Sequence, residues 1–312
     1  MMPQTENSSR GTIFTILPEE YIQNYISTIM VEWQRRWNEL LRYKNSFEPY
    51  RAKSHIEITT EFENLHALRQ RLWYRDPTSN PRIAQKDYLP AQDLIEKGHY
   101  RTITNIAFAY NNTEKSYNAS TIILRGHHFI ALQEPSASSL NEFFKLLINH
   151  HSRVLVRVKT EEEFLTQGSI KYWEDRLHEE KGIPVLEMTV TEGMYNVAPV
   201  YIPYFYINDW VDNKAPNISA LYQLVCQVRK TYKLLPQGGP IACHCASGVG
   251  RTGTFIAAYI LADIIHQSPA NPLSIEQVVL ELSLQRPNLM GTVDQYLSLY
   301  QFVEHCLANT AL

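Results

Sequence analysis

This chain has few cysteines, little net charge and no long apolar run, and each shortage narrows what it can be. Its four cysteines are Cys226, Cys243, Cys245 and Cys306, with no Cys-x-x-Cys pair and no histidine cluster at metal-ligand spacing. That pattern suits neither a disulfide scaffold nor a zinc site. It implies a reducing compartment, and no metal or other cofactor is expected. A formal charge of −3 over 312 residues gives no electrostatic reason to expect nucleic acid or a membrane surface as partner. No stretch is long enough to span a bilayer, and Met1 to Arg10 is polar rather than a cleavable leader, so a cytoplasmic protein is expected. Internal repeats and low-complexity blocks are also lacking. What is present is a globular composition, 44% hydrophobic and 20% charged, sufficient for a sizeable core.

Residues 1–17 read as a loose tail. From Pro18 the positions Ile22, Ile26, Ile29, Trp33, Trp37 and Leu40 recur at three- and four-residue steps, which predicts an amphipathic helix with its stripe packed on a core. A second helix is predicted from Thr60 to Tyr74, and residues 75–92, rich in Pro, Asn, Asp and Ser, read as a surface excursion. Strand signals follow at Ser120–Leu124, His128–Gln133, Arg153–Val158 and Val185–Thr191. The last third is mostly helical, at Ile218–Leu234, Thr252–His266, Ser274–Leu284 and Thr292–Ala308. Strands first and helices late predict an α/β (α+β) fold, a mixed sheet covered by helices.

The chemistry is concentrated in His244-Cys245-Ala246-Ser247-Gly248-Val249-Gly250-Arg251-Thr252-Gly253. A short apolar strand ends at His244, five residues turn tightly, and an apolar helix starts near Thr252. A loop between a strand and a helix N-terminus turns its backbone N–H groups inward, at the positive end of the helix dipole, and so suits a dianionic phosphate. The same field favours the thiolate of Cys245 as a nucleophile. Arg251, six residues on, has the planar fork to bind two phosphate oxygens. Cys243 is expected on the other side of the strand, as a core residue and not a second catalytic thiol.

This string resembles the Cys-x5-Arg-Ser/Thr loop of the protein tyrosine phosphatases, with Ala246-Ser247 in the reverse of the usual order. The resemblance covers roughly residues 55–312. It implies a highly twisted sheet with the loop at its carboxyl edge, leaving 1–54 as a tail and helical extension. It also implies substrate binding by Ala246, Ser247, Gly248, Val249, Gly250 and Arg251, with Thr252 bonded to the leaving sulfur and His244 orienting Cys245. Trp210-Val211-Asp212 is similar to the family's acid loop, so Asp212 is the expected general acid and Asp209 its rival; Val211 stands where the family has Pro. Lys97-Gly98-His99-Tyr100-Arg101 looks like the segment whose Tyr walls the phosphotyrosine pocket, which assigns Tyr100, while Thr102 replaces the Asp that holds substrate backbone.

Phe129-Ile130-Ala131-Leu132-Gln133-Glu134-Pro135 resembles the family run Tyr-Ile-Ala-Thr-Gln-Gly-Pro. Near the C-terminus, Gln285 to Tyr296 is similar to the glutamine loop, with Gly291 at the first glutamine position. Gln295 is left to place the hydrolytic water, although Thr292-x-x-Gln295 is equally a helix capping box. By counting, Glu163 matches the Glu that supports the Arg, and Lys171 the Lys that approaches the acid loop.

The implied reaction is phosphotyrosine hydrolysis in proteins through a phosphocysteine, with a phosphate or other oxyanion in the loop. Divergence and an added N-terminal helix also resemble the effector phosphatases that bacterial pathogens inject into host cells. Two rival readings are an inositol-phosphate or phosphoinositide phosphatase on the same scaffold, and a catalytically weak phosphotyrosine-binding module.

Overall fold

The computed structural model describes residues 19–44, 46–73, 106–110, 113–166, 169–192, 195–196, 198–235, 239–267, 273–286 and 288–310. Seven strands form the central sheet: β3 (Ala119–Leu124), β4 (His127–Gln133), β5 (Val154–Val158), β6 (Leu177–Glu180), β7 (Ile183–Met188), β10 (Val200–Ile207) and β11 (Ile241–Cys245). Their order is β3-β4-β11-β5-β10-β7-β6. The inner four, β4, β11, β5 and β10, run parallel, and the outer pairings are antiparallel. The sheet is mixed, as the order of sequence signals implies. Two short antiparallel pairs stand apart, β1 (Ile106–Tyr110) with β2 (Thr113–Tyr117), and β8 (Thr191–Glu192) with β9 (Tyr195–Asn196).

Parallel strands covered on both faces read as continuous apolar runs, and both β5 and β11 are buried at every position. One face of the sheet packs against α2 (His55–Trp73), α5 (Ile218–Leu234), α6 (Gly250–Gln267), α7 (Ile275–Ser283) and α8 (Val293–Thr310). The other face carries α3 (Leu140–Asn149) with Tyr172 and Trp173. Phe255 and Ile256 of α6 are fully buried. Truncating such a side chain costs about 2–5 kcal/mol, against about 1 kcal/mol for a typical hydrogen bond. Packing of this kind holds α6 against the sheet.

Alternation places Ile241, Cys243 and Cys245 on the α6 face, and Ala242 and His244 on the α3 face. The expectation that Cys243 points to the other side is thus corrected: residues two apart in a strand share a face. Cys243 is a core residue, and burial pushes its thiol well above the ordinary range.

Other differences have local causes. Helix α2 starts at His55 because Ser54 and Glu57 close a capping box: Ser54 N–H donates to Glu57 Oε2 (2.7 Å), and Glu57 N–H to Ser54 Oγ (3.3 Å). Strand β10, missed in the sequence, contains Pro203, which argues against a strand on pattern alone. Helix α3 was also missed; its Leu140, Phe143, Phe144 and Leu147 have helical spacing. In α1 (Glu19–Leu40) Trp33 stacks on Trp37, and Trp37 on Phe47 (6.0 and 5.9 Å between centroids). Beyond it, Lys44 pairs with Glu276 (2.7 Å), Tyr50 N–H donates to the Leu273 carbonyl, and Lys53 pairs with Glu61. No helix among the described residues is long and apolar enough to cross a membrane.

Candidate active site

Strand β11 lies between β4 and β5 and ends at Cys245, so the chain leaves the sheet at its carboxyl edge, where open parallel sheets place their sites. The turn that follows has its carbonyls tied outward. Ala246 O accepts from Glu134 N–H (3.2 Å), Ser247 O from Arg286 Nη2 (3.1 Å), Gly248 O from Arg286 Nε (2.9 Å), and Val249 O from Gly253 N–H and Met290 N–H (2.9 and 3.3 Å). In a trans peptide the next N–H points opposite to the carbonyl. The N–H groups of Ser247, Gly248, Val249 and Gly250 therefore face the interior of the loop. Gly248 has φ +70, and a Cβ there would lie 2.2 Å from Leu132 O. Only glycine fits.

Arg251 is fully buried at the start of α6. Glu163, which opens the short helix α4 (Glu163–Thr166), grips it bidentately, accepting from Nη1 at 2.5 Å and Nη2 at 2.9 Å, and Trp210 O accepts from Nη1 at 2.8 Å. Burial opposes the guanidinium charge, but the Glu163 bonds together with Cys245 and Asp212 overcome it and hold the group above its ordinary value. For Glu163 burial is likewise outweighed by Arg251, and its carboxyl is lowered. Thr160 Oγ1 donates to Glu163 Oε1 at 2.9 Å. Of the run Glu161-Glu162-Glu163, Glu162 is exposed while Glu163 turns inward to Arg251.

The 210–216 segment lies beside the same guanidinium. Trp210 is buried and donates from Nε1 to Lys214 O (2.8 Å), closing the loop on itself. Asp212, one-third exposed, pairs with Arg251 Nη2 at 3.1 Å. Asp209 is exposed and has no ion pair among the described residues. Asn213 adopts φ +60, and its carbonyl accepts from Thr292 Oγ1 (3.2 Å). Val211, at the family's Pro position, is 56% exposed, so its side chain adds nothing to the core.

Gln295 is fully buried, and a Cβ on Gly250 would lie 2.8 Å from its Nε2. Gln295 Oε1 accepts from Gly291 N–H (3.1 Å), and Gln295 N–H donates to Thr292 Oγ1 (3.3 Å). It thus makes the capping contacts and lies against the loop at once. Two buried donors around the loop, Arg251 Nε and Gln295 Nε2, have no hydrogen-bond partner among the described residues, and Thr252 Oγ1 has only the Cys243 thiol beside it. Buried donors of this kind are costly unless something bonds them.

His244 lies on the opposite face of β11. Its Nε2 is 2.5 Å from Tyr172 Oη and its Nδ1 is 3.3 Å from Cys245 O. Burial first, and then Arg157, lower the imidazole to about 3, so it is neutral. Lys171 pairs with Glu174 (3.2 Å) and Glu161 (3.4 Å). Tyr100 and Thr102 lie outside the described residues.

Arg286 is the residue that sequence reasoning passed over. It sits inside the quoted glutamine-loop string, yet its four bonds, to two loop carbonyls, Ser120 Oγ (2.9 Å) and Asn118 Oδ1 (3.1 Å), depend on tertiary contacts that spacing does not reveal. Gln285 was passed over too. Its side chain bonds both backbone groups of Ile123 and so covers the open edge of β3.

Comparison with known proteins agrees with this geometry. The family model described as protein-tyrosine phosphatase matches residues 99–305. The chain is 26% identical to receptor-type tyrosine-protein phosphatase eta of Mus musculus, over 85% of this chain and 22% of that protein. It is 28% identical to tyrosine-protein phosphatase 69D of Drosophila melanogaster and 29% to receptor-type tyrosine-protein phosphatase F of Homo sapiens, each over 55% of this chain. The chain spans 22% or less of the length of each of these relatives. A match that runs through the sheet, the Cys245 loop and the helices behind it makes this chain a member of the protein-tyrosine phosphatase family.

Proposed function

We propose that the chain hydrolyses phosphotyrosine in proteins through a phosphocysteine on Cys245. The observation that carries this reading is the loop itself: four carbonyls tied outward, four amides turned in, and an arginine held flat by Glu163 beside the cysteine. Cys245 Sγ attacks phosphorus, and the bond from phosphorus to the tyrosine oxygen breaks. The loop amides and Arg251 hold the equatorial oxygens, whose charge a preorganised, water-poor site stabilises strongly. Asp212 protonates the leaving oxygen. In the free protein its carboxylate rests on Arg251, a group the phosphoryl oxygens also need; substrate binding displaces it, it takes a proton from solvent, and that proton passes to the leaving oxygen. Water then attacks phosphorus, Asp212 takes its proton, Gln295 orients it, and Thr252 Oγ1 bonds the departing sulfur. The resemblance assigns the pocket wall to Tyr100, which lies outside the described residues.

Residues 55–312 form the catalytic domain in this reading, with 1–54 as an extension fastened to it through Lys44, Tyr50 and Lys53. Four free cysteines support a reducing compartment such as the cytoplasm. The deciding experiment is turnover of phosphotyrosine peptides beside phosphoserine peptides and phosphoinositides. Phosphotyrosine preference, lost in Cys245→Ser, is expected. Faster turnover of a phosphoinositide would replace this reading with the lipid one, against which stands a loop interior, Ala246 to Gly250, without a cation.

A further inference from the structure

Glu134 stands where the family run quoted above has Gly, and the chain places this carboxylate directly behind the phosphate loop. Its backbone N–H donates to Ala246 O (3.2 Å). Its carboxylate accepts from Lys159 Nζ at 2.7 and 2.8 Å, and from Ser169 Oγ at 2.5 Å; Lys159 Nζ also donates to Ser169 Oγ at 2.9 Å. The Lys159 side chain is fully buried and that of Glu134 is nearly so. An ion pair at this depth is a poor source of stability, because desolvating both charges costs about as much as their attraction returns. Its value is therefore sought in what it positions.

Three chain segments meet at the pair. Glu134 follows β4, Lys159 follows β5, and Ser169 precedes Tyr172, whose hydroxyl bonds His244 beside the nucleophile. Lys159 Nζ also lies 4.2 Å from the centre of the Phe164 ring, a cation–π contact to the neighbour of Glu163. Thr160, next to Lys159, bonds Glu163 itself. The cluster thus adjoins both supports of the catalytic loop: it reaches Glu163 through its neighbour Phe164 and through Thr160, and it holds Ser169 three residues before the Tyr172 that bonds His244.

We propose that Glu134, Lys159 and Ser169 are a positioning clamp that keeps Glu163 and Tyr172 in register with the Cys245 loop, and so sets oxyanion affinity. The proposal rests on the phosphatase reading. None of the three touches the reacting atoms; they act through Glu163 on Arg251 and through Tyr172 on His244. Removing one charge leaves the other buried and unpaired, which displaces the segment. Removing both relieves that charge, so a double variant recovers much of what either single one loses.

The test measures, on the full chain, orthovanadate binding, kcat and KM on an aryl phosphate, and Tm, for wild type, Glu134→Gly, Lys159→Met, the double variant and Ser169→Ala. Each charge-removing single variant is expected to weaken vanadate binding and raise KM about tenfold or more, with kcat per folded molecule changing less. The double variant regains at least half of that loss on a logarithmic scale. Ser169→Ala, which keeps the ion pair and is the readout if the charge variants fail to fold, loses about two- to fivefold in vanadate affinity. Wild-type vanadate affinity and KM in folded single variants, or in Ser169→Ala if those do not fold, would overturn the clamp. So would a double variant with full wild-type vanadate affinity, because the pair would then position nothing. Failure of the wild type to bind vanadate or turn over would instead overturn the phosphatase reading, so the two failures are distinguishable.

Discussion

The two halves of the site are built differently. On the cradle side, around Cys245, every loop carbonyl from Ala246 to Val249 is bonded, Arg251 is fully buried in a bidentate grip, and Arg286 is anchored at four points. On the acid and water side, Asp212 is one-third exposed, Val211 is mostly exposed, Asn213 sits at positive φ, and Gly291 offers no side chain. The departures at Val211 and Gly291 fall on the second side, whereas the reversed Ala246-Ser247 and Glu134 lie in or behind the cradle. A group that binds a dianion in a fixed pose needs preorganised donors. A group that delivers a proton and then admits water has to move, and its loop carries fewer ties. The structure therefore separates binding from proton and water handling, and substitutions in the two halves should differ in kind.

The largest effect belongs to the cradle. Cys245→Ser is expected to abolish turnover while phosphotyrosine peptide binding persists, because the amides and Arg251 are untouched; calorimetry on the inactive variant checks the binding. Substantial residual turnover would erase the distinction between the halves. Next, Asp212→Ala should cost about a hundredfold or more on a phosphotyrosine peptide, yet far less on an aryl phosphate with a good leaving group. Equal losses on the two substrates, or a larger loss from Asp209→Ala, would move the acid elsewhere.

A third prediction concerns pH and the buried framework. Burial lowers His244 to about 3 and His128 and His150 to about 4, from an ordinary 6.5. The fold keeps these rings neutral while the unfolded chain protonates them, so their contribution to stability is full above pH 6.5 and is lost progressively toward pH 4 and 3. Thermal melts should show Tm falling through that window, and a flat Tm from pH 7 to 4 would contradict the assignment. The smallest effect is on the water side. Gly291 is not in the left-handed region, and a Cβ there meets nothing within 4 Å. Gly291→Gln is therefore accommodated, and is expected to raise a steady rate limited by phosphocysteine hydrolysis about two- to fivefold without altering the pre-steady-state burst. A wild type without a burst would mean that the lost glutamine is immaterial.

Legibility in the sequence followed the same division. The Cys245 loop was readable because its chemistry is local: one strand end, one glycine-bearing turn and one helix start lie within ten residues. Helices α5 to α8 were readable from their apolar spacing. Strand β10 was obscured by Pro203, and α2 began earlier than its apolar pattern because Ser54 and Glu57 cap it. Cys243 was misplaced by a slip in strand alternation, not by anything hidden. The partners of Arg286 and of Glu134 could not be read at all. They come from elements 166 and 25 residues away in the chain, and no local pattern records a long-range bond.

The account's central claim is most directly tested by rapid chemical quench of wild-type protein with a phosphotyrosine peptide, followed by mass-spectrometric mapping of the trapped intermediate. Phosphate on the peptide that contains Cys245, formed as fast as the first equivalent of dephosphorylated product, is the predicted result. Product release at that rate with no phosphate on Cys245, or with phosphate on another residue, would contradict it.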